Sequence, residues 1–272
     1  MKFEKFVEEI AKHYNCEAKE IEKNGEKLKA VEIITDTCCH PVVYFYSEMT
    51  EEDIPKVLDG IKNSIDKAPK EDDASKYATW EYVKEHLRPC LCGKGKAKAS
   101  ALTRDKLNLT QYLRVIVDNG SYVVEKSHIL HWGVPQDEIF KIAEQNAEKD
   151  YIARYMVEEF AEITGAPLDV MKEQSRGRWK ERVVASTVDK MHGASVMFSD
   201  ATLKKIAELL ETDEFYILPS SVHEIICVPA NEGEDIEAFT EMVRNINERV
   251  VLDKDVLNDN VYICKNGVVS VG

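Results

Sequence analysis

The spacing of apolar residues changes along the chain, and the first 65 residues contain both helical and extended patterns. Apolar side chains recur at helical spacing over residues 2–14, which predicts an amphipathic helix. The turn signal Asn24-Gly25 precedes a predicted strand over 28–35, and a second strand is predicted from Pro41 to residue 46. A second helix is predicted, capped by Thr50 or Asp53, and its apolar face consists of Ile54, Val57, Leu58, Ile61 and Ile65.

The middle of the chain alternates polar connectors with short predicted elements. Residues 66–76 form a charged connector, and a short helix is predicted over 80–87. The segment 90–100 combines glycines and lysines with small residues, which predicts a mobile loop. Two apolar runs on either side of Asp118-Asn119-Gly120 predict a hairpin over 112–124, because Asn-Gly between such runs favours a tight turn.

Helices dominate the prediction for the next sixty residues or so. They are expected over 127–132, 135–148 and 151–164, and the last of them ends at Gly165. Residues 169–182 are polar and basic relative to their neighbours, which predicts a linker or an exposed helix.

The last ninety residues or so have the most regular pattern. Ser199 is expected to cap one of the two helices, and Pro219-Ser220-Ser221 and Asn266-Gly267 are expected to turn two hairpins. The predicted order is β-β-α-β-β-α-β-β, over residues 183–188, 194–198, 199–210, 215–218, 222–228, 236–246, 261–264 and 268–271.

These runs of hairpins, rather than βαβ crossovers, predict the α+β class, with helices packed on antiparallel hairpins. A chain of 272 residues exceeds the commonest size of a single domain, so we expect two small domains. The predicted boundary separates an N-terminal α+β domain, residues 1–112, from a C-terminal α+β domain, residues 113–272.

Composition narrows the protein class. The longest apolar runs are far shorter than a membrane-spanning helix, and glutamates interrupt the N-terminal apolar positions, so neither a membrane segment nor a secretory signal is expected. Seven cysteines without such a signal predict reduced thiols in a cytoplasmic protein rather than a disulfide framework.

Charge is unevenly distributed. The net charge of −14 is concentrated after residue 112, where 29 acidic residues face 17 basic ones. Phosphate backbones require clustered lysine and arginine, so nucleic acid is not expected as a partner. The negative charge after residue 112 would attract a protein partner with a basic surface, although acidic surfaces also simply keep proteins in solution.

One short segment combines a hydroxyl, an imidazole and a carboxylate: Ser220, Ser221, His223 and Glu224. A hydrolase or transferase would need the imidazole within hydrogen-bond reach of a serine, with a third group orienting it. Neighbouring side chains of a strand point to opposite faces, however, so His223 and Glu224 should diverge. The alternatives are a hairpin turn without chemistry and a contact site for a ligand or partner.

Other candidate motifs have poor spacing for their chemistry. Cys38-Cys39-His40 and Cys90-Leu91-Cys92 lack the two-residue spacers typical of zinc sites and thiol redox pairs. His128 and His131 share one helical face without further ligands, and Gly93-Lys94-Gly95-Lys96 lacks the strand and helix that flank a phosphate loop. The carboxylates of 232–241 suit the N-terminus of a helix. No metal, cofactor or catalytic residue is therefore predicted.

Several segments carry a resemblance to a known family. FYILPSSVHEIICVP, within residues 193–264, and WGVPQDEIFKIA are the most specific, and KNGEKLKAVEII is also similar. These segments resemble an uncharacterised domain-of-unknown-function family common in gut Firmicutes, over most of the chain. The resemblance implies a bacterial cytoplasmic protein and no particular chemistry.

Three functions are compatible with these observations. The leading hypothesis is a non-enzymatic protein that binds or regulates another protein through its acidic C-terminal domain. The alternative is a hydrolase or transferase with a site near Ser220 and Glu224. A further alternative is an acidic mimic of nucleic acid, which would occupy a basic site on an enzyme.

Overall fold

The structure, a computed structural model, describes residues 1–23, 26–35, 40–66, 75–118, 120–230 and 236–272. Several predicted features lie wholly or partly outside these residues: the Asn24-Gly25 turn, the Cys38-Cys39 pair, the 66–76 connector, Asn119 and the first carboxylates of 232–241.

Contacts between residues divide the chain into two compact units. The first unit contains Met1–His86 and Val115–Tyr122, and the second contains Leu87–Arg114 and Val123–Gly272. The predicted boundary after residue 112 falls inside a strand, Leu109–Val117. The division into two domains, 1–112 and 113–272, stays a prediction.

The first unit begins with a helix and an antiparallel sheet, as the apolar pattern predicted except for one strand. Its elements are α1 Phe3–Ala11, β1 Cys16–Lys23, β2 Glu26–Ile33, β3 Val42–Tyr44, a 3-10 turn Glu51–Asp53, α2 Ile54–Asp66, a 3-10 turn Ser75–Ala78 and α3 Trp80–His86. The sequence did not predict β1, because charged residues interrupt its apolar positions. Its pairing with β2 along the whole strand supplies the missing stabilisation.

The core of the first unit joins α1 and α2 to the sheet β1-β2-β3. The fully or nearly buried members of this core are Phe6, Ile10, Val31, Ile33, Ile54 and Ile61. Thr50 and Asp53 cap the turn before α2 reciprocally, since Asp53 accepts the backbone N–H of Thr50 at 2.8 Å. Thr50 thus caps the 3-10 turn that leads directly into α2, rather than α2 itself.

Four strands and two helices follow: β4 Leu87–Gly93, β5 Thr103–Lys106, β6 Leu109–Val117, β7 Gly120–Val123, α4 Lys126–Trp132 and α5 Gln136–Ala147. The sheet has the order β4-β6-β5, and β7 pairs with β6. The hairpin prediction around residues 118–120 and both helix predictions are confirmed.

The prediction of a loop over 90–100 was wrong for its first residues. Cys90–Gly93 belong to β4, and Cys90, Leu91 and Cys92 are almost completely buried. Cysteine behaves as a small hydrophobe, so these residues extend a short apolar run that the nearby glycines and lysines obscured.

The C-terminal elements are β8 Tyr151–Tyr155, α6 Met156–Thr164, α7 Leu168–Gln174, a 3-10 turn Arg178–Lys180, β9 Val183–Thr187, a 3-10 helix Gly193–Phe198, α8 Asp200–Leu210, β10 Glu214–Pro219, β11 Glu224–Pro229, α9 Ile236–Arg249, a 3-10 turn Asp253–Asp255, β12 Tyr262–Lys265 and β13 Val268–Val271. The strands form one antiparallel sheet in the order β13-β12-β10-β11-β9-β8. This arrangement confirms the α+β class, with helices packed on antiparallel hairpins.

Two apolar clusters cover the two faces of this sheet. One includes Phe215 and Ile217 of β10 together with Leu203 and Ile206 of α8. The other joins Tyr216 and Leu218 of the same strand to α9. Because both faces are buried, the central strands are almost continuously apolar.

Two predicted elements of this unit were wrong in type. Residues 151–155 form strand β8 rather than the start of a helix, and helix α6 begins only at Met156. Residues 194–198 form a 3-10 helix rather than a strand. Short apolar runs do not distinguish these states, and the packing of each run onto the sheet decides between them.

None of the described helices combines the length and the apolar composition needed to cross a bilayer.

Candidate functional site

Ser220 and Ser221 lie in the connection between β10 and β11, and both hydroxyls form hydrogen bonds within the turn. The Ser220 hydroxyl donates to Oε1 of Glu224 at 3.2 Å. The Ser221 hydroxyl oxygen accepts the backbone N–H of His223 at 3.0 Å. Serine commonly stabilises turns by such local bonds.

The imidazole of His223 is held by two residues distant in sequence. Its Nδ1 accepts the backbone N–H of His192 at 3.1 Å, so the ring proton of the neutral form resides on Nε2. Nε2 faces Oδ1 of Asp255 at 3.4 Å. Both nitrogens are therefore engaged by groups other than the serines, whereas a general base for Ser220 or Ser221 would need a nitrogen directed at the hydroxyl.

Close backbone packing fixes the loop that holds His223. A Cβ built on Gly193 would lie 2.4 Å from Oγ of Ser186 and 2.6 Å from the carbonyl oxygen of His223. The Ser186 hydroxyl in turn donates to that carbonyl at 2.7 Å. These contacts favour the interpretation of residues 220–224 as a fixed hairpin end over the interpretation as a catalytic site.

Sequence reasoning missed Asp255 and His192, the residues that orient His223. Asp255 lies in the 3-10 turn before β12, and its carbonyl accepts the backbone N–H of Val222 at 2.8 Å. Nζ of Lys254 lies 3.5 Å from the Asp255 carboxylate. No local spacing signal connects these positions with residue 223.

The cysteines Cys90 and Cys92 are buried, and His128 is held by contacts within the protein. Burial raises the pKa of the Cys90 and Cys92 thiols to about 12, so both remain protonated and are poor metal ligands or nucleophiles. His128 accepts the backbone N–H of Glu125 at 3.1 Å, and its ring lies 5.2 Å from that of Trp132. Within the described ranges, no three His, Cys, Asp or Glu side chains are grouped as metal ligands.

The Gly93–Lys96 segment is a turn rather than an isolated anion loop. The backbone N–H of Gly95 donates to Oγ1 of Thr110 at 3.1 Å, and that of Lys96 donates to the Gly93 carbonyl at 3.0 Å. Two of the N–H groups that could cradle a phosphate are thus bound within the protein.

A small cleft of about 230 Å³ lies between α5 and the 3-10 helix that carries Ser195. The Ser195 hydroxyl donates to the carbonyl of Pro89 at 2.9 Å, so the hydroxyl of Tyr151, 2.8 Å away, must donate to Ser195. Burial raises the pKa of Tyr151 and keeps this donor protonated. The Ser195 hydroxyl therefore donates one hydrogen bond and accepts another within the protein, and it is not activated as a nucleophile.

A larger groove, of about 700 Å³, lies between α8 and the β12–β13 turn. Its floor is apolar and includes Leu203, Ala207 and the almost completely buried ring of Phe215. The turn residues 266–268 form the opposite wall. We call this feature the acidic groove, because of the four carboxylates that line it: Asp200, Glu208, Glu211 and Asp213.

The carboxylates of the acidic groove outnumber its one lining ammonium group, that of Lys204. Nζ of Lys180 lies 2.8 Å from Glu211 and lowers the pKa of that carboxyl, which is fully ionised at neutral pH. Both side chains of this pair are more than half exposed. An exposed ion pair contributes little stability, so a basic group of a ligand can take the place of Lys180 beside Glu211.

The family-model comparison covers residues 2–265. The chain belongs to DUF5688, a family of unknown function. The DUF5688 match includes both units and the α8 side of the acidic groove, whereas the turn residues 266–268 and β13 lie beyond it. Searches of curated proteins and of solved structures found no match to this DUF5688 chain.

Proposed function

We propose that this chain is a non-enzymatic, protein-binding or regulatory protein of the cytoplasm, which recognises a basic segment of another protein in the acidic groove. The observation that carries this proposal is the combination of an apolar floor with four carboxylates and one lysine in a groove of about 700 Å³. Such a surface is complementary to a segment in which lysine or arginine alternates with apolar residues.

The cytoplasmic part of the proposal is supported by the thiols. Cys90, Cys92, Cys227 and Cys264 are free and buried, and no disulfide joins the described cysteines. Unpaired cysteines suit a reducing compartment.

The two alternatives from the sequence have less support. The hydrolase or transferase alternative needs His223 directed at a serine, and its nitrogens face His192 and Asp255 instead. The nucleic-acid mimic needs an uninterrupted acidic surface, whereas exposed lysines pair with carboxylates around the groove, as in Lys180–Glu211 and Lys265–Glu214.

Fluorescence anisotropy with a labelled peptide of alternating lysine and valine tests the proposal. We expect binding at low ionic strength that weakens as salt is added, because exposed charges are screened. Neutralising three carboxylates of the groove, by Glu208→Gln, Glu211→Gln and Asp213→Asn together, is expected to reduce the affinity about tenfold.

A matched variant separates the groove from the overall charge. Glu237→Gln, Glu241→Gln and Glu248→Gln together remove the same charge from exposed positions of α9, which packs on the other face of the sheet. This triple variant should bind the peptide as the natural chain does. Equal losses in both variants, or no binding at low salt, would contradict the proposal.

A further inference from the structure

We infer that the basic segment binds as an additional β-strand on the free edge of β13, with its long side chains directed toward the acidic groove. This inference rests on the proposed function and adds the mode of binding. Its basis is the hydrogen-bonding geometry of the β12–β13 hairpin.

The hairpin geometry identifies which backbone groups point outward. Asn266 and Gly267 have φ of 49° and 79°, the positive values required by a two-residue type I′ turn. In such a turn the flanking residues, Lys265 and Val268, form a hydrogen-bonded pair, and the pairs then alternate along the ladder. The backbone N–H of Gly272 donates to the carbonyl of Val261 at 3.0 Å, in agreement with this alternation.

The same alternation leaves Val269 and Val271 at non-hydrogen-bonded positions opposite Cys264 and Tyr262. Their N–H and C=O groups therefore point away from β12. Within the described part of the chain, β13 is the last strand of the sheet. A sheet edge with such groups is a template for another strand.

The edge strand β13 is short, but it carries neither of the residue types, charged residues and proline, that usually prevent strand addition. The residues of β13 are Val-Val-Ser-Val, without charge or proline, and Val268 and Val271 are 69% and 41% exposed. The opposite edge strand, β8, differs because it carries Arg154, which pairs with Glu159 and Glu162. Of the two edges, β13 is the one suited to a partner.

The negative charge of the acidic groove favours a basic segment as the strand that pairs with β13. The turn that begins β13 also forms one wall of the acidic groove, so a strand paired with β13 passes the groove at its turn end. We expect a lysine or arginine there to extend toward the carboxylates that line the groove. A second copy of this chain would bring two acidic grooves together, which like-charge repulsion disfavours.

Peptide backbone chemistry distinguishes strand addition from attraction between side chains. Three versions of the lysine–valine peptide are compared: one N-methylated at its lysines, one N-methylated at its valines and the all-D enantiomer. All three keep the charge. A strand uses alternate backbone N–H groups, so we expect one N-methylated version to lose affinity at least about tenfold and the other to retain it. The all-D peptide should bind weakly.

The outcomes separate this inference from the proposed function. If all three modified peptides bind as the parent does, strand addition is wrong and the groove proposal stands. If the parent peptide does not bind at low salt, the proposed function itself fails. A dimer of the protein alone, detected by sedimentation equilibrium and dissolved by charge or proline in β13, would assign the edge to a second copy and overturn the inference.

A variant of the protein, rather than of the peptide, tests the same edge. Val271→Pro removes an outward N–H without removing a hydrogen bond to β12, because position 271 is not hydrogen-bonded to that strand. We expect it to reduce the affinity for the parent peptide at least about tenfold relative to Val271→Thr, which keeps the N–H. Equal affinities in the two variants, with both folded by circular dichroism, would contradict strand addition.

Discussion

The two compact units use antiparallel sheets in different ways. In the first unit, β1 is charged at most positions, and α1 and α2 build the apolar core with the sheet β1-β2-β3. In the second unit, the residues Phe215–Pro219 of β10 are all buried, since apolar clusters lie on both faces of the six-stranded sheet. The difference shows that the pattern of apolar residues within a strand depends on how many faces of its sheet are covered by other elements.

The two units also offer a comparison between an exposed ion pair and a mostly buried one. In the first unit, Lys27 of β2 and Glu20 of β1 form a pair whose charged groups are 3.1 Å apart and mostly exposed. In the second unit, Glu159 is 12% exposed and forms hydrogen bonds with both Lys190 and Arg154. Charged groups removed from water and fully paired are costly to disturb, whereas exposed pairs contribute little.

The largest effect is expected from the buried phenylalanines, one in each unit. Phe215→Ala in β10 and Phe6→Ala in α1 each remove a ring that is at most 1% exposed, and each should cost about 3–5 kcal/mol. Phe6 should lie at the lower end, because the ring of Phe45, 5.3 Å away, can relax into the space.

Hydrogen exchange measured by mass spectrometry locates these effects. Phe215→Ala should reduce protection throughout the sheet β13-β12-β10-β11-β9-β8, and Phe6→Ala should reduce it in β1, β2 and α1. The same protection loss across both units in each variant would mean that the two units are not separate cooperative structures.

A smaller effect is expected at the paired carboxylates. Glu159→Gln should lower the stability of the second unit at pH 7 by about 1.5–3 kcal/mol, the usual value for a hydrogen bond to a charged group. Glu20→Gln in the first unit should have no measurable effect, because its pair with Lys27 is exposed. Chemical denaturation of the two variants provides the comparison.

The pH dependence of this effect has a defined sign. Burial alone would raise the pKa of Glu159, but the hydrogen bonds from Lys190 and Arg154 outweigh it, and the pKa is lowered. A lowered pKa contributes stability that is present above the unfolded-state value of about 4.3 and is lost as the pH falls through the folded-state value. The difference between the natural chain and Glu159→Gln should therefore be constant near neutrality and shrink in acid; a difference that grows in acid would contradict the assignment.

The smallest effects are expected at two glycines, and they should have opposite signs. Gly267 has φ of 79° in the β12–β13 turn, so Gly267→Ala should cost about 1–2 kcal/mol. Gly60 lies within α2 with no atom within 4 Å of an added Cβ, so Gly60→Ala should stabilise the first unit by about 0.5–1 kcal/mol. Thermal denaturation of the two variants tests both signs, and equal signs would show that one of the two backbone assignments is wrong.

Features set by local chemistry were predicted from the sequence. The Asn266-Gly267 hairpin, the Ser199 cap, which accepts the backbone N–H of Thr202 at 3.3 Å, and the amphipathic helix α2 all depend on neighbouring residues. Their residue types are sufficient because turn geometry, capping and helical periodicity act over a few positions.

The candidate site was predictable only in part. The acidity of the second half was visible in the sequence, and residues 220–224 were singled out, but the orientation of His223 depends on His192 and Asp255. The acidic groove needs α8 and the 266–268 turn, which are separated by more than fifty residues. Contacts at such separations leave no spacing signal.

The sequence by itself therefore determined the α+β class, the main hairpins and helices, and the sign of the charge on the second unit. Tertiary structure decided the states of the short apolar segments Cys90–Gly93, Tyr151–Tyr155 and Gly193–Phe198, which the sequence pattern did not assign correctly. It also decided which carboxylates line a groove and which strands form the edges of the sheet. The physical reason is that burial and pairing are properties of the assembled sheet, whereas periodicity and turn chemistry are properties of a few consecutive residues.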